Sequence, residues 1–445
     1  MKLNAIFHFD VLKNRVIFTN SLLLLSEKIL LISGGLLLSV LFARLLGPED
    51  FGRYNYVLSV AALFIPIYSL GIGNILLREL SEQPAVAPYL LASCFKARFI
   101  TGVLVAIVVI TVLFYIYGYS WKPQLIGLLL FANIFNAFEV YDKWFQHKST
   151  IKKMVYWRSG CFIFFTLLKL LIIYWYENYI PLLLLMSLEV LTKNSGYYLF
   201  YKKDTKEIVA PKFDKKLFLT IFSQSKYLIL SSLASVIYLK IDILMLESMI
   251  DNTTVGTYSV AAKISEVWYI LPQVVITALF PSLISLAKNN NEHYLKTLQR
   301  GFDLLFISAI IISILIYLFS PWLIQTLYGD DYSQASAILR VHIFSCIFIY
   351  MRILLSHWFV SKKLAKFSLF SQVSGAVVNV ILNLLLIPYY GALGAAIATL
   401  ISYAVSAYFC LFFFKKTRVI AVMMTKSILL IFRLHRIDFS GRSET

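Results

Sequence analysis

The sequence predicts an all-α integral membrane protein of about twelve transmembrane helices, in two six-helix lobes related by a parallel pseudo-two-fold repeat with a central cavity between them. Three observations predict it. Of 445 residues, 60% are hydrophobic and 14% charged, whereas soluble domains carry about 45–50% and about 25%. Apolar windows of the roughly 20 residues that a spanning helix needs recur along the chain. Basic residues crowd the alternate connections between those windows.

The windows run in order from Ile17 to Phe42, Tyr54 to Leu77, Tyr89 to Tyr115, Pro123 to Val140, Trp157 to Tyr176 and Pro181 to Tyr201 in the first half. The second half continues with Tyr227 to Met249, Tyr258 to Leu286, Phe302 to Ser320, Ala337 to Val360, Ser368 to Ile387 and Ala392 to Phe414. The domain reading is therefore a lobe over 1–201, a basic cytoplasmic linker over 202–226, a lobe over 227–414 and a basic tail over 415–445. No small-residue cleavage site follows the first window, so that window is expected to stay as a span.

The net charge is +18, a surplus that on a soluble chain would suggest nucleic acid. Its placement points elsewhere. Lys13 and Arg15, Arg78 with Lys96 and Arg98, Lys143 to Arg158, Lys202 to Lys226, Lys288 to Arg300, Lys362 to Lys366 and Lys415 to Arg442 all fall on one side. Arg44, Arg53 and Lys122 stand on the other. That bias is the positive-inside rule; it places both termini in the cytoplasm and leaves no role for nucleic acid. Cys94, Cys161, Cys346 and Cys410 lie in spans or near their cytoplasmic ends, so no disulfide is expected.

The halves repeat. Phe51-Gly52-Arg53-Tyr54 after the first window matches Val255-Gly256-Thr257-Tyr258 after the seventh, at an offset of 204. Trp144-Phe145 matches Trp358-Phe359. Ser159-Gly160, with Leu170-Leu171-Ile172 and Tyr174, matches Ser374-Gly375, with Leu385-Leu386-Ile387 and Tyr389, at an offset of 215. Each match is displaced by six windows, which gives the halves one topology, as in parallel-repeat transporters. Pro66 and Pro272 fall within two residues of each other under the first offset and are hinge candidates, because proline removes a helical hydrogen bond.

Charges inside the windows cost roughly 2.5–3.5 kcal/mol each on insertion scales, so they mark function or pairing. Glu189 with Lys193 and Lys263 with Glu266 have helical spacings that allow local pairs, and Lys240 and Glu247 lie near a helix end. Lys169 and Arg352 have no partner in their own helices. Gln224, Ser231, Ser235, Tyr238 and Asp242 form one face of the seventh helix. Glu266, Gln273 and Thr277, then Ser345, Arg352 and Ser356, then Gln372, Asn379 and Asn383, form others. Polar faces on several helices imply a hydrated cavity. No Gly-Lys pair, no His-Glu-x-x-His and no Cys-x-x-Cys occurs, so neither a nucleotide cofactor nor a metal is expected. No connection is long enough for a catalytic domain; the largest outer loop expected is Pro321 to Ser336.

The stretch Glu27 to Leu80, with Ala43-Arg44-Leu45-Leu46-Gly47-Pro48-Glu49-Asp50-Phe51-Gly52-Arg53-Tyr54, resembles the start of bacterial polysaccharide-biosynthesis flippases, the O-antigen (O-unit) translocases. The segment from Ile241-Asp242-Ile243 to Pro281, with Ala261-Ala262-Lys263-Ile264, resembles their second half. The resemblance implies the fold of the multidrug/oligosaccharidyl-lipid/polysaccharide exporter superfamily. It also implies a non-enzymatic flippase of lipopolysaccharide biosynthesis in the bacterial inner membrane. Its substrate would be an undecaprenyl-pyrophosphate-linked oligosaccharide, moved with proton or sodium coupling. Polymerase and chain-length components of the pathway would be partners, with membrane lipids around it. On that footing Arg352 and Lys169 would attract the pyrophosphate, Asn379, Asn383 and Tyr238 would meet sugar hydroxyls, and Asp242, Glu266 and Glu27 would couple the ion. The alternatives are a cation-coupled multidrug exporter of the same fold, or a membrane polysaccharide polymerase or ligase.

Overall fold

In the computed structural model of the chain, the residues described are 15–205, 213–273, 275–276, 291–362 and 364–430. Among them the regular structure is helical, with no strand. Among the described residues eight helical stretches are long and apolar enough to cross a membrane, which makes this a multi-pass membrane protein.

The first helix, α1 (Arg15–Leu63), carries the first window and part of the second. They are separated at Gly47, whose φ of 73° is open to glycine and strained for other residues. Pro48 follows, with its ring presetting the first helical φ of the new segment. The chain continues through α2 (Ile65–Ser69), with Pro66 in its first turn, and α3 (Gly73–Glu82). Then come α4 (Ala87–Tyr117), α5 (Trp121–Ile134), α6 (Glu139–His147), α7 (Lys152–Tyr176) and α8 (Tyr179–Thr205). The second half begins with α9 (Lys215–Met249) and α10 (Asn252–Val267). From residue 291 it continues with α11 (Asn291–Tyr328), α12 (Ala335–His342), α13 (Ser345–Ser361), α14 (Ala365–Ala407) and α15 (Lys415–Ile428).

Helices run past the windows wherever the hydropathy ends but the hydrogen bonding does not. α9 starts at Lys215, inside the expected linker, with the Asp214 carboxylate accepting from Lys216 and Leu217 N–H at 2.9 and 3.0 Å, a side-chain N-cap. At 1.5 Å per residue its 35 residues span about 52 Å, well beyond a hydrocarbon core of about 30 Å. α11 likewise extends to Tyr328 through Pro321. The long outer loop expected over Pro321 to Ser336 is therefore a correction: only Gly329–Gln334, including a 3-10 turn at Asp330–Tyr332, leaves the α-helices. Asp330 and Asp331 are exposed there, as a solvated turn should be.

Helix breaks recur at the repeat offsets. α1 ends at Leu63 and α10 at Val267, 204 residues apart, each just before the turn that carries Pro66 or Pro272. The positive-φ residue Glu177 between α7 and α8 is matched within one residue, under the offset of 215, by Gly391, the positive-φ kink that divides α14. The end of the eighth window, Thr277 with it, the middle of the linker (206–212) and the tail beyond 430 lie outside the described residues.

The chain divides into two units. One holds the described residues up to Val260 together with Gln325–Ser333; the other runs over Ala261–Ile324 and from Gln334 onward. In the first, Leu70, Leu76, Leu80, Leu90, Val140, Phe145, Met154 and Ile221 form a buried apolar cluster. Gln325–Ser333 joins that unit because Arg44 donates to the Thr326 and Leu327 carbonyls, at 2.5 and 2.7 Å, and the buried Tyr332 hydroxyl donates to Ala43 O at 2.9 Å. Arg44 thus satisfies carbonyls that the end of α11 leaves without helical partners.

Candidate functional site

The two repeated glycine motifs meet each other. The segment of α1 after Gly47 crosses the first turn of α10, both in the first unit. A Cβ on Gly52 would overlap the Asn252 carbonyl oxygen and lie 2.8 Å from its carbon, and a Cβ on Gly256 would overlap the Pro48 carbonyl oxygen, 2.9 Å from its carbon. Pro48 and Asn252 are related by the same offset as Gly52 and Gly256. Each glycine therefore faces its partner motif's residue four positions back, the reciprocal pattern of a two-fold contact. Small residues at this spacing let membrane helices approach backbone to backbone.

Around this crossing the cations that the charge bias places outside are each engaged. Arg53 pairs with Glu49 at 2.5 Å and Asp50 at 2.9 Å. Lys122, at the start of α5, pairs with Glu247 near the end of α9 at 2.6 Å. Its ammonium also lies 5.5 Å from the Tyr56 ring centroid, 4.6 Å from Tyr117 and 5.9 Å from Trp121, within cation–π reach. Glu247 lies near the end of α9, as expected, with its side chain enclosed in that pair.

Deeper in the first unit Glu27 on α1 is clamped by Arg158 on α7, with Nε–Oε1 2.5 Å and Nη2–Oε2 2.6 Å, a bidentate fork. The third arm of Arg158 reaches Asp142 on α6 at 2.8 Å, and Asp142 also accepts from Gln146 at 2.7 Å. Lys169 on α7 is buried and ion-paired with Glu189 on α8. The expected Glu189–Lys193 pairing is thus corrected: Glu189 turns to the neighbouring helix, where a buried ammonium needs it more. Asp242, 1% exposed, accepts the Tyr258 hydroxyl at 2.6 Å, and Tyr238 on the same face of α9 is buried beside Ser235, 3.3 Å away. Gln224, on the same stripe, accepts from Arg78.

In the second unit Arg352 on α13 is buried, donates to the Ser371 hydroxyl and, at 3.3 Å, to the Ser406 carbonyl, and lies 5.7 Å from the Phe359 ring. It thereby ties α13 to both arms of α14, where Gly375 permits the close approach of Ser406. Asn379 and Asn383 are both fully buried on α14 and joined at 3.2 Å. Glu266 precedes the break that ends α10; there the Trp268 carbonyl accepts the Tyr350 hydroxyl at 2.8 Å.

The structure thus gathers Glu27, Lys169, Asp242 and Tyr238 in one unit and Arg352, Asn379, Asn383 and Glu266 in the other. Arg158 and Lys122 were missed as interior groups because their positions near window ends read as orientation charges, and Asp142 was passed over. The signal available was the pair Glu139 and Asp142: two acids just ahead of Lys143, Lys148, Lys152 and Lys153 are out of keeping with a purely solvated basic loop.

Comparison with known proteins places this geometry. The chain matches the family described as polysaccharide biosynthesis protein over residues 18–287 and the lipid II flippase MurJ family over 196–437. It is 25% identical over 392 residues to the capsular polysaccharide biosynthesis protein CapF of Staphylococcus aureus, covering 85% of this chain and 94% of that one. It is 23% identical over 190 residues to the probable low-salt glycan biosynthesis flippase Agl15 of Haloferax volcanii, a match over 42% of this chain that spans only 40% of the relative. Among solved structures, lipid II flippase MurJ in an inward closed conformation superposes with a TM-score of 0.66 at 16% identity, covering 96% of this chain and 94% of that one. An inward-facing multidrug resistance MATE transporter superposes with a TM-score of 0.69 at 16% identity, covering 94% and 99%. With matches over residues 18–287 and 196–437, each more than half of its length, this chain belongs to the polysaccharide biosynthesis protein family, which here overlaps the lipid II flippase MurJ family.

Proposed function

We propose that the protein carries a lipid-linked oligosaccharide across the bacterial inner membrane, specifically an undecaprenyl-pyrophosphate-linked O-antigen unit, from the cytoplasmic to the periplasmic leaflet. In this reading twelve spans form two six-helix lobes, 1–201 and 227–414, that alternate access to a polar path while the lipid tail stays in hydrocarbon, and both termini are cytoplasmic. The observation that carries it is the pair of family matches, a polysaccharide biosynthesis protein over residues 18–287 and a lipid II flippase over the overlapping residues 196–437. The ion pairs buried in otherwise apolar helices support it, because a glycan headgroup needs polar groups that do not individually face lipid.

Arg352 is the favoured pyrophosphate ligand, since it is buried in the second unit and its guanidinium offers planar donors. Lys169 would have to exchange Glu189 for phosphate. Among the carboxylates proposed for ion coupling, Asp242 is buried on α9 under the Tyr258 hydroxyl, and Glu27 would have to exchange Arg158 for the ion. An inside-negative potential of 100 mV would favour outward movement of two negative charges by about 4.6 kcal/mol.

The test is complementation of a flippase-deleted strain with leaflet-resolved analysis of the lipid-linked glycan. Accumulation of single units on the cytoplasmic face without the protein, relieved by it, is expected. Units that reach the periplasm without it but stay unpolymerised would indicate the polymerase alternative, and restored drug export without glycan export would indicate the multidrug one.

A further inference from the structure

The last helix, α15, is not one of the crossing helices: its 14 residues reach about 21 Å, short of the hydrocarbon thickness. One face is fixed to the protein. Thr417, Ile420, Ala421, Met424 and Ser427 are buried, and the Ser427 hydroxyl donates to Asp303 on α11 at 2.6 Å. Gln299 on α11 bonds the Met423 carbonyl at 3.1 Å, Ser427 Oγ at 3.0 Å and Asp303 at 2.8 Å. The helix therefore cannot roll, and its other face has a set direction.

That other face holds Lys415, Arg418, Val419, Val422, Lys426 and Leu429, all exposed at helical spacing, with Lys416 beside the first turn. Residues 415–430 contain no carboxylate. Among the described residues none of these four cations is ion-paired, in contrast to Arg53, Lys122, Arg158 and Lys169. Phe412 and Phe413, directly before the helix, are 37% and 75% exposed. Exposed valine and leucine flanked by unpaired basic residues, on a helix too short to span, suit the boundary between headgroups and acyl chains. There the long basic stems can bury their methylenes while the charges meet phosphate.

We propose that α15 is a membrane-surface helix whose occupant is the anionic phospholipid of the leaflet into which α14 emerges, bound by Lys415, Lys416, Arg418 and Lys426 with Val419, Val422 and Leu429 inserted between headgroups. This does not depend on which glycan the protein moves. The charge complementarity selects lipid over an acidic protein surface because the valines lie in the middle of the basic face, where a purely electrostatic partner would leave them in water.

The full-length protein, carrying a nitroxide at Val422→Cys, is reconstituted in nanodiscs of phosphatidylcholine alone or with phosphatidylglycerol. The four native cysteines are buried. With anionic lipid, collision with a water-soluble nickel reagent should fall severalfold while collision with oxygen rises, and raising the salt should reverse part of the change. The variant K415E/K416E/R418E/K426E should remove the difference between the two lipid mixtures. Equal accessibility in both mixtures with the wild-type charges overturns the proposal without any charge variant. Protection that survives charge reversal also overturns it, leaving an apolar contact or another partner.

Discussion

Replacing Gly52 by alanine tests the reciprocal crossing. In a helix interior alanine is favoured over glycine by about 1 kcal/mol, so on propensity alone Gly52→Ala stabilises. Against this stands a methyl group that would overlap the Asn252 carbonyl oxygen and lie 2.8 Å from its carbon and 3.0 Å from Gly256 N. Overpacking costs about 1–3 kcal/mol when side chains can yield. Here all three neighbours are backbone, so the upper end applies and the net is about 2 kcal/mol destabilising, or roughly thirtyfold in the equilibrium between crossed and parted helices. Gly256→Ala, against the Pro48 backbone, should behave alike. Unfolding of the detergent-purified protein, followed by tryptophan fluorescence, reads this, with Gly160→Ala as control because nothing lies within 4 Å of its Cβ position. The control should match or exceed wild type. The double variant Gly52→Ala/Gly256→Ala should lose clearly less than the two singles together, since one overlap already parts the helices. Single variants as stable as the control, or strictly additive losses, would refute the crossing.

Three further outcomes are expected. Arg158→Gln leaves Glu27 and Asp142 as buried carboxylates without their cation and should destabilise by about 3–5 kcal/mol, seen as loss of folded protein in the membrane, whereas Glu27→Gln with Arg158→Gln should recover much of it. Lys169→Met with Glu189→Leu should be near neutral for stability while either change alone is not; if that folded double variant still exports the glycan, Lys169 is not a substrate ligand. Exchanging Lys122→Glu with Glu247→Lys should restore most of the stability that Lys122→Glu loses, measured by the same unfolding assay, although the cation–π contacts of the ammonium with Tyr56 and Tyr117 will not be recovered.

What the sequence showed and what it hid divide along the helix axis. Burial of apolar residues in lipid writes itself locally, so the membrane-spanning helical character, the proline at the break after α1 and the recurrence of Phe51-Gly52 as Val255-Gly256 were readable. Helix ends were not, because hydropathy stops at the membrane surface while hydrogen bonds continue into water, as at Lys215 and Tyr328. Partners were read only along one helix: three- and four-residue spacing suggested Glu189 with Lys193, but the actual partner of Glu189 is Lys169, on the preceding helix. Arg158 was hidden for the same reason, since nothing local links it to Glu27 on α1.

A joint made by two stretches of backbone has no rotamers to adjust. Side-chain contacts such as Lys122 with Glu247 can stretch, take in water or swap partners while their helices drift; Gly52 against Asn252 and Gly256 against Pro48 have no such slack. Because both halves of the joint sit on one axis, small sliding in either direction drives one glycine or the other into a carbonyl. The joint is consequently closed or open, and whatever opens it must move α1 and α10 apart as rods, Arg53 travelling with α1 while Lys122 stays with α5.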